Sequence, residues 1–292
     1  MELMGIGDEA GGKLETQIRA TKELGWKSIE MRGVEVEGFA KANLHEIPDA
    51  AFDIVEAKLK ENGVGVYAFG STIMNWQKTV ETPFDVTLGE VKRAIPRMKR
   101  LGTQFVRVMS FKPGEDEDSI PALVFERVKE VTDLFLAEGL QPVHENCMNY
   151  GGMSWRHAEE LLEKVPGLKW VFDTANPIFN ADRSGAKPWG RQDPWEFWQH
   201  MKPHTAHIHI KDCTWNDSKN DADYNFPGEG QGRVEDILKD AFASGYDAGI
   251  SIEPHMVVVF HDTGSAASEE DTYQNYVEYG RRLESLVRSA KA

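Results

Sequence analysis

The segment Thr205–Asp212 carries chemically active side chains with the spacing of a β-strand. It reads T-A-H-I-H-I-K-D, with polar and apolar residues in alternation. Side chains two positions apart lie on the same face of a strand, so His207, His209 and Lys211 share one face. Two imidazoles and an ammonium on one face indicate a strand that borders a site. We expect His207 to be a buried, hydrogen-bonded core residue and His209 to take part in the site.

Carboxylates end three other strand-like runs, which read V-H-E, V-F-D and S-I-E and finish at Glu145, Asp173 and Glu253. Adjacent strands lie about 5 Å apart, so four such strand ends can meet around one cation. Crowded carboxylates repel one another and raise their pKa values, and a divalent ion removes that penalty. Glu145, Asp173, His209 and Glu253 are therefore the predicted metal ligands. Three oxygens and one imidazole nitrogen favour Mn²⁺, with Mg²⁺ or Co²⁺ as alternatives.

The elements that must position these residues alternate regularly along the chain. Amphipathic helical segments end at glycines and are followed by short β-branched segments, which is the pattern of repeated βα units. The predicted strands are Leu3–Gly7, Lys27–Arg32, Val64–Gly70, Phe105–Ser110, Gln141–Asn146, Leu168–Thr174, Thr205–Asp212 and Ile250–His255. Eight strands with eight helices predict an α/β fold, a (β/α)8 TIM barrel, as one domain over residues 1–292. In such a barrel the chemistry lies at the carboxyl ends of the strands.

Local signals refine two of these segments. Ser119 is predicted to cap the helix that runs to Glu138. The glycine-rich segment Gly5–Gly12 lacks the G-x-G-x-x-G spacing of a dinucleotide-binding loop, which argues against a doubly wound sheet and for a βα loop.

Composition narrows the function classes. The 292 residues include 33 basic and 48 acidic ones, for a net charge of −15, and a surface that acidic repels nucleic acid. The two cysteines form no disulfide framework and fit a reducing compartment. The first residues lack a secretory signal, and the apolar runs are too short to span a bilayer. We expect a cytoplasmic protein that binds neither nucleic acid nor membranes.

Five motifs resemble the sugar phosphate isomerase/epimerase family, the xylose isomerase-like TIM barrels of the AP endonuclease 2 superfamily. They read V-H-E-N at 143–146, V-F-D-T at 171–174, H-I-H-I-K-D at 207–212, P-G-E-G at 227–230 and I-E-P-H at 252–255. The resemblance implies the same four metal ligands, with His209 as the usual liganding histidine of the pair, and it leads us to expect a homo-oligomer. The endonuclease branch carries a histidine where this chain has Asn176, so a multi-metal DNA-repair site is not expected.

The shared chemistry predicts a keto-sugar isomerase or epimerase that acts by proton transfer through an enediolate stabilised by the metal. Glu145 and Glu253 would remove and return the proton. Lys211 would hold an oxyanion or form an ion pair inside the barrel. A metal-dependent lyase that cleaves a 3-keto-glycoside by β-elimination is the first alternative, and a non-catalytic sugar-binding barrel is the second.

The predicted substrate contacts lie around these ligands. Asn176, His255 and Arg107 are expected to bind the sugar, and Arg107 could equally form a salt bridge. Trp76 and Trp215 are expected to pack against its C–H faces or to pack within a lid.

The segment P-G-E-G-Q-G at 227–232 is expected to present backbone N–H groups to a substrate anion. Glu229 within it argues against phosphate, which favours a neutral, small-molecule sugar as the substrate.

Overall fold

The computed structural model describes residues 1–256 and 268–292. In these ranges the strands, in chain order, are Glu2–Gly5 (β1), Ser28–Met31 (β2), Gly33–Val36 (β3), Phe39–Asn43 (β4), Gly65–Phe69 (β5), Phe105–Val108 (β6), Gln141–Glu145 (β7), Lys169–Asp173 (β8), Thr205–Ile210 (β9), Asp212–Asn216 (β10), Asp221–Asn225 (β11) and Gly249–Ile252 (β12). Eight of them form one sheet in the order β1-β12-β9-β8-β7-β6-β5-β2.

All neighbouring strands in that sheet are parallel. A parallel bridge between Ile6 and Glu30 links the two end strands, β1 and β2, so the sheet curls into a nearly closed barrel. The (β/α)8 prediction is therefore confirmed. Because the strands are parallel, all eight carboxyl ends open at the same end of the barrel.

Helices follow the barrel strands and cover its outside. They are Leu14–Glu23 (α1), Asp49–Asn62 (α2), Phe84–Leu101 (α3), Ala122–Ala137 (α4), Trp155–Lys164 (α5), Asn176–Phe179 (α6), Pro194–Met201 (α7), Val234–Ala243 (α8) and Glu269–Lys291 (α9). Gly63 and Gly102 stand at the C-caps of α2 and α3 with φ of 65° and 68°. That left-handed conformation suits glycine because it has no Cβ, as the repeat of glycines predicted.

Helix α4 begins later than the sequence suggested. Its N-cap is Pro121, with no side-chain cap, so the prediction that Ser119 caps it is wrong. Proline disfavours the helical conformation for the residue before it, which keeps Ile120 out of the helix.

Two antiparallel hairpins rise from the carboxyl end of the barrel, and the sequence analysis did not predict them as strands. Strands β3 and β4 follow β2, and β10 and β11 follow β9. The predicted seventh strand therefore ends at Ile210, and Asp212 begins the second hairpin instead. Large buried side chains such as Trp170 and Trp198 fill the layer between barrel and helices and hold the strand ends in place.

Candidate metal and substrate site

Four strand ends bring the predicted metal ligands together. Glu145 and Asp173 are the last residues of β7 and β8, His209 lies within β9, and Glu253 follows β12 directly. One ligand atom from each lies within 4.8 Å of the others. All four side chains are buried.

Each of the two glutamates is held by an arginine through one oxygen and turns the other toward the centre. Arg107 Nη1 donates to Glu145 Oε2 at 2.7 Å, and Arg32 Nη1 donates to Glu253 Oε1 at 2.8 Å. Burial would raise the pKa of Glu145, but Arg107 and His209 outweigh burial and lower it to about 2. Lys211 is the strongest of the cations that likewise lower the pKa of Glu253 against its burial. Both glutamates are therefore ionised at neutral pH.

Asp173 is held from its other side by the backbone. Its Oδ1 accepts hydrogen bonds from the N–H groups of Ala175 at 2.9 Å and Asn176 at 2.6 Å. Its Oδ2 is buried and lies 3.1 Å from the ammonium of Lys211. Burial, opposed by that ammonium, raises the pKa of Asp173 to about 6. The inward oxygen of Asp173 therefore already faces a cation, as a metal ligand must.

His209 presents its Nδ1 to the centre and its Nε2 to a carboxylate behind it. Nδ1 lies 3.3 Å from Glu145 Oε1 and 3.8 Å from Glu253 Oε2, and Nε2 lies 3.0 Å from Glu30 Oε2. Burial would lower the pKa of His209, but Glu30 and Glu145 outweigh it and raise it to about 10. A carboxylate behind a liganding imidazole fixes the ring orientation and makes the facing nitrogen a better donor to metal.

Glu30 was not among the predicted site residues, although it organises both histidines. Its Oε2 accepts from His207 Nε2 at 2.8 Å and from Ser251 Oγ at 2.8 Å. His207 is fully buried, which confirms its assignment as a hydrogen-bonded core histidine. The available signal for Glu30 was the alternation of side chains along the second strand, which places Glu30 on the face that points into the barrel.

Lys211 lies among the ligands. Its Nζ is 3.1 Å from Asp173 Oδ2 and 3.0 Å from Glu253 Oε2. Burial would lower the pKa of Lys211, but these two carboxylates hold it well above its ordinary value. The ion pair anticipated for this lysine is thus present, and its partners are two of the predicted metal ligands.

These residues fit a divalent cation. Bonds of about 2.1 Å place octahedral ligand atoms roughly 3 Å apart when adjacent and roughly 4.2 Å apart when opposite. The distances from His209 Nδ1 to Glu145 Oε1, 3.3 Å, and to Glu253 Oε2, 3.8 Å, fall in that range. Three carboxylate oxygens and one imidazole nitrogen suit a hard to borderline ion. The inward oxygen of Asp173, buried beside the Lys211 ammonium, lies at a position that attracts a cation and supports the same assignment.

Lys211→Met should tighten the binding of Mn²⁺ and Mg²⁺ by about 10- to 100-fold, because the ammonium and the metal compete for the same two carboxylates. Isothermal titration calorimetry of the metal-stripped variant measures the change. Lys164→Met, on the exposed end of α5, is the matched control and should leave the affinity unchanged. If Lys211→Met binds these metal ions no more tightly than the unmodified protein does, the prediction is contradicted.

Arg32 joins the centre to the first βα loop, and sequence reasoning did not assign it to the site. Its guanidinium also contacts Asp8 Oδ1 at 3.0 Å and Glu9 Oε1 at 2.7 Å. Glu9 in turn accepts from the backbone N–H of His255 at 3.1 Å. The two acids of the glycine-rich loop therefore hold the arginine that holds Glu253.

The site opens into a cavity of about 570 Å³ at the barrel mouth, lined by Arg107, Asn176, His255 and Trp76 among others. Asn176 Nδ2 also donates to Glu145 Oε1 at 3.3 Å. These four predicted substrate contacts thus face the space beside the ligands.

Trp215 lies elsewhere. It is on β10, where its ring is 3.4 Å from the Arg191 guanidinium carbon and its Nε1 donates to Asp217. It is not among the described residues that line the cavity.

The glycine-rich segment at 227–232 binds an anion of the protein itself. The N–H groups of Gly228, Gly230 and Gly232 donate to the carboxylate of Asp212 at 2.9, 3.0 and 2.8 Å. The expectation that these groups approach a substrate anion is therefore wrong for these three donors. They anchor the start of the β10–β11 hairpin instead.

His144 should make the stability of the protein depend on pH. It is fully buried beside Ser110, and burial lowers its pKa to about 3. Below its ordinary value of about 6.5 the unfolded chain binds a proton that the folded chain does not. The free energy of unfolding should therefore fall as the pH decreases from 6.5 toward 3, by about 1.4 kcal/mol per pH unit.

Urea denaturation at several pH values in that window measures the slope. His144→Gln should make the free energy of unfolding depend less steeply on pH, whereas His204→Gln, at an exposed position, should not. Equal slopes for His144→Gln and the unmodified protein would contradict the assignment.

In residues 1–256 and 268–292, no helix has the combined length and apolar character needed to cross a membrane. No curated protein matches the sequence.

Solved structures share the fold over nearly the whole chain. One is a xylose isomerase-like TIM barrel protein from Mycobacterium smegmatis in complex with magnesium, with 16% identity, a TM-score of 0.67, and 100% of this chain and 97% of that chain covered. The IOLI protein with a binding zinc atom has 15% identity and a TM-score of 0.72, with 99% of each chain covered. D-Psicose 3-epimerase with D-tagatose from Clostridium cellulolyticum H10 has 14% identity and a TM-score of 0.66, with 98% of this chain and 99% of that chain covered.

These identities are too low to assign the chain to a family, but a family model does assign it. The model for the xylose isomerase-like TIM barrel matches residues 18–282. That match contains all four predicted ligands and agrees with the motifs noted in the sequence. The chain therefore belongs to the xylose isomerase-like TIM barrel family.

Proposed function

We propose that this protein is a divalent-metal-dependent isomerase or epimerase of a keto-sugar. The observation that carries the proposal is the pair of buried, ionised glutamates beside one centre, each oriented by its own arginine. Glu145 and Glu253 come from β7 and β12, which lie three strands apart around the barrel. Two carboxylates that converge from separate strands can contact a bound sugar at different positions.

A divalent cation bound at this centre supplies Lewis acidity, which polarises a carbonyl and stabilises negative charge on its oxygen. The protein supplies the proton transfers. One glutamate removes the proton from the carbon next to the carbonyl, and the other returns a proton. Return to the opposite face inverts that carbon, whereas return to the neighbouring carbon moves the carbonyl.

Other side chains of the site have supporting roles in this proposal. The ammonium of Lys211 is placed to donate a hydrogen bond to the negative oxygen. Asn176 and His255 are placed to bind sugar hydroxyls. Arg107 positions Glu145, and Trp76 packs against the sugar ring.

Mn²⁺ is the proposed metal, with Mg²⁺ or Co²⁺ as alternatives, because carboxylate oxygens predominate among the ligands. The similar structures named above contain magnesium in one case and zinc in another. Elemental analysis of the purified protein identifies the metal that it retains. A single domain over residues 1–292, a homo-oligomer and a cytoplasmic location stay predictions from the sequence.

Deuterium exchange tests the proposed reaction. The protein loaded with Mn²⁺ is incubated with a panel of ketoses in D₂O, and NMR follows deuterium at the carbon next to the carbonyl. We expect exchange with at least one ketose, and its loss after the metal is removed with a chelator. Absence of deuterium across the panel would favour a sugar-binding barrel without turnover.

A lyase that cleaves a 3-keto-glycoside by β-elimination is the second candidate, and the size of the cavity favours it. A free hexose occupies roughly 200 Å³ at the packing density of a protein interior, which is well below the 570 Å³ of this cavity. The same proton abstraction would then expel a leaving group from the adjacent carbon. Release of the aglycone from a 3-keto-glycoside, without exchange in free ketoses, would replace the first candidate with this one.

A further inference from the structure

The cavity at the barrel mouth is divided into a charged sector and an apolar sector. The charged sector comes from the loops after β12, β1 and β2, where Glu253, Asp8 and Arg32 line the cavity and are joined by ion pairs. These loops are neighbours because β1 lies beside β12 and is bridged to β2. One side of the cavity is therefore suited to hydroxyl groups.

The apolar sector follows β5, β6, β7 and β8, which are also neighbours in the barrel. The segment after each of these strands contributes one large apolar side chain to the cavity wall. These side chains are Trp76, Met109, Met148 and Phe179. Charged and polar residues such as Lys112 and Asn176 also line this part of the cavity, and Met109, Met148 and Phe179 supply its apolar surface beside β6, β7 and β8.

This apolar wall continues into a second cavity. Met148 and Phe179, together with Cys147 and Lys112, line both the main cavity and a neighbouring one of about 240 Å³. Met153 adds further apolar surface to the second cavity. The second cavity therefore lies beside the first one at Met148 and Phe179, on the side of the apolar sector.

A free sugar uses only part of this arrangement. Its hydroxyl groups match the ligands and the charged sector, and its C–H face can cover Trp76, but it carries no apolar group that would displace water from Met109, Met148 and Phe179. Methionine side chains adapt their shape and make favourable contacts with aromatic rings. The two-sided cavity matches a molecule that has both kinds of surface.

We propose that the substrate joins a hydroxyl-rich ring, bound at Glu145, Asp173, His209 and Glu253, to an apolar or aromatic substituent. The substituent lies against Met109, Met148 and Phe179 and extends toward the second cavity. The position of the ring rests on the proposed function, and the apolar subsite rests on the composition of the cavity wall. The substrate class is thus a keto-sugar that carries an aryl or other apolar substituent, as in a 3-keto-glycoside, rather than an unsubstituted sugar.

Calorimetry with matched glycosides tests the subsite directly. The Mn²⁺-loaded protein is titrated with phenyl and methyl β-glycosides of glucose, galactose and mannose, so that the two members of each pair share the sugar ring and differ only in the substituent. We expect at least one phenyl glycoside to bind about 10- to 100-fold more tightly than its methyl counterpart, because the phenyl group buries apolar surface. The result that overturns the proposal is a panel in which no phenyl glycoside binds more tightly than its methyl partner.

Met148→Gln tests where the phenyl group binds. The substitution keeps the length of the side chain and makes its end polar, so the preference for the phenyl glycoside should fall at least about threefold while the methyl glycoside binds as before. Leu123→Gln, on the exposed face of α4, is the matched control and should keep the full preference. Unchanged Mn²⁺ affinity in both variants shows that they are folded. A full preference in Met148→Gln overturns the assigned subsite.

Failure of this proposal is distinguishable from failure of the proposed function, because binding needs no turnover. A phenyl preference without deuterium exchange in free ketoses keeps the apolar subsite and removes the isomerase or epimerase reaction. Exchange in free ketoses without any phenyl preference keeps the reaction and removes the apolar subsite.

Discussion

Glu145→Gln and Glu253→Gln should each lower the rate of deuterium exchange by about 1,000-fold, the middle of the range that a positioned acid or base contributes. Each glutamate has one oxygen bound to an arginine, so a glutamine can keep that hydrogen bond through its carbonyl oxygen while the inward atom becomes an amide nitrogen. An amide neither accepts the substrate proton nor returns it. The exchange rate measured by NMR in D₂O is the readout.

Metal binding must be measured beside exchange, because both glutamates are also predicted ligands. Calorimetric titration with Mn²⁺ measures the affinity of each variant. The exchange assay then uses Mn²⁺ at a concentration that saturates the variant. Glu126→Gln, on the exposed face of α4, is the matched control and should exchange at the normal rate. Full exchange in a metal-saturated Glu145→Gln or Glu253→Gln protein removes that residue from the proton transfer.

Asp173→Asn should weaken the binding of Mn²⁺ by at least about 100-fold, more than the loss usually seen when only a partner of a ligand is changed. Asparagine keeps an oxygen for the N–H groups of Ala175 and Asn176, so the local fold should survive. The inward atom becomes an N–H donor, which repels a cation where the carboxylate oxygen attracted it. Calorimetry and elemental analysis of the purified variant measure the loss.

A control substitution shows whether the loss of Mn²⁺ affinity is specific to the four-ligand centre. Asp182→Asn, in the loop after β8, changes the same chemical group outside the four-ligand centre and should keep the affinity. The unfolding temperature of the metal-free Asp173→Asn protein reports whether the fold has survived. Normal Mn²⁺ affinity in Asp173→Asn would show that the cation, if one binds, is held elsewhere.

Most of the ligand set could be read from the sequence because its signals are local. Glu145, Asp173 and Glu253 each stand at the end of a short apolar run, and the parallel barrel brings such positions to one rim. The alternation around His209 indicated its inward face in the same way. The helix-ending glycines indicated the repeat, and six of them have positive φ in the structure: Gly25, Gly63, Gly102, Gly139, Gly167 and Gly245.

The contacts that orient these ligands could not be read in the same way. Arg32 and Glu253 are 221 positions apart, and Glu30 and His209 are 179 apart, so closure of the barrel alone makes them neighbours. Whether Lys211 would face a substrate or the carboxylates depended on distances that no local pattern contains. Trp215 was assigned to the sugar from its residue type, but the β10–β11 hairpin places it outside the lining of the cavity.

The sequence by itself predicted the barrel and the four candidate ligands, because both depend on periodicity and on which residue ends a strand, and the resemblance of five motifs indicated the family. Only the tertiary structure decided what surrounds those ligands: two arginines, the carboxylate behind His209, and an ammonium between Asp173 and Glu253. It also decided that the backbone N–H groups at 228, 230 and 232 bind Asp212 rather than a ligand. The physical reason is that burial brings distant charges into one low-dielectric space, where each must find a partner.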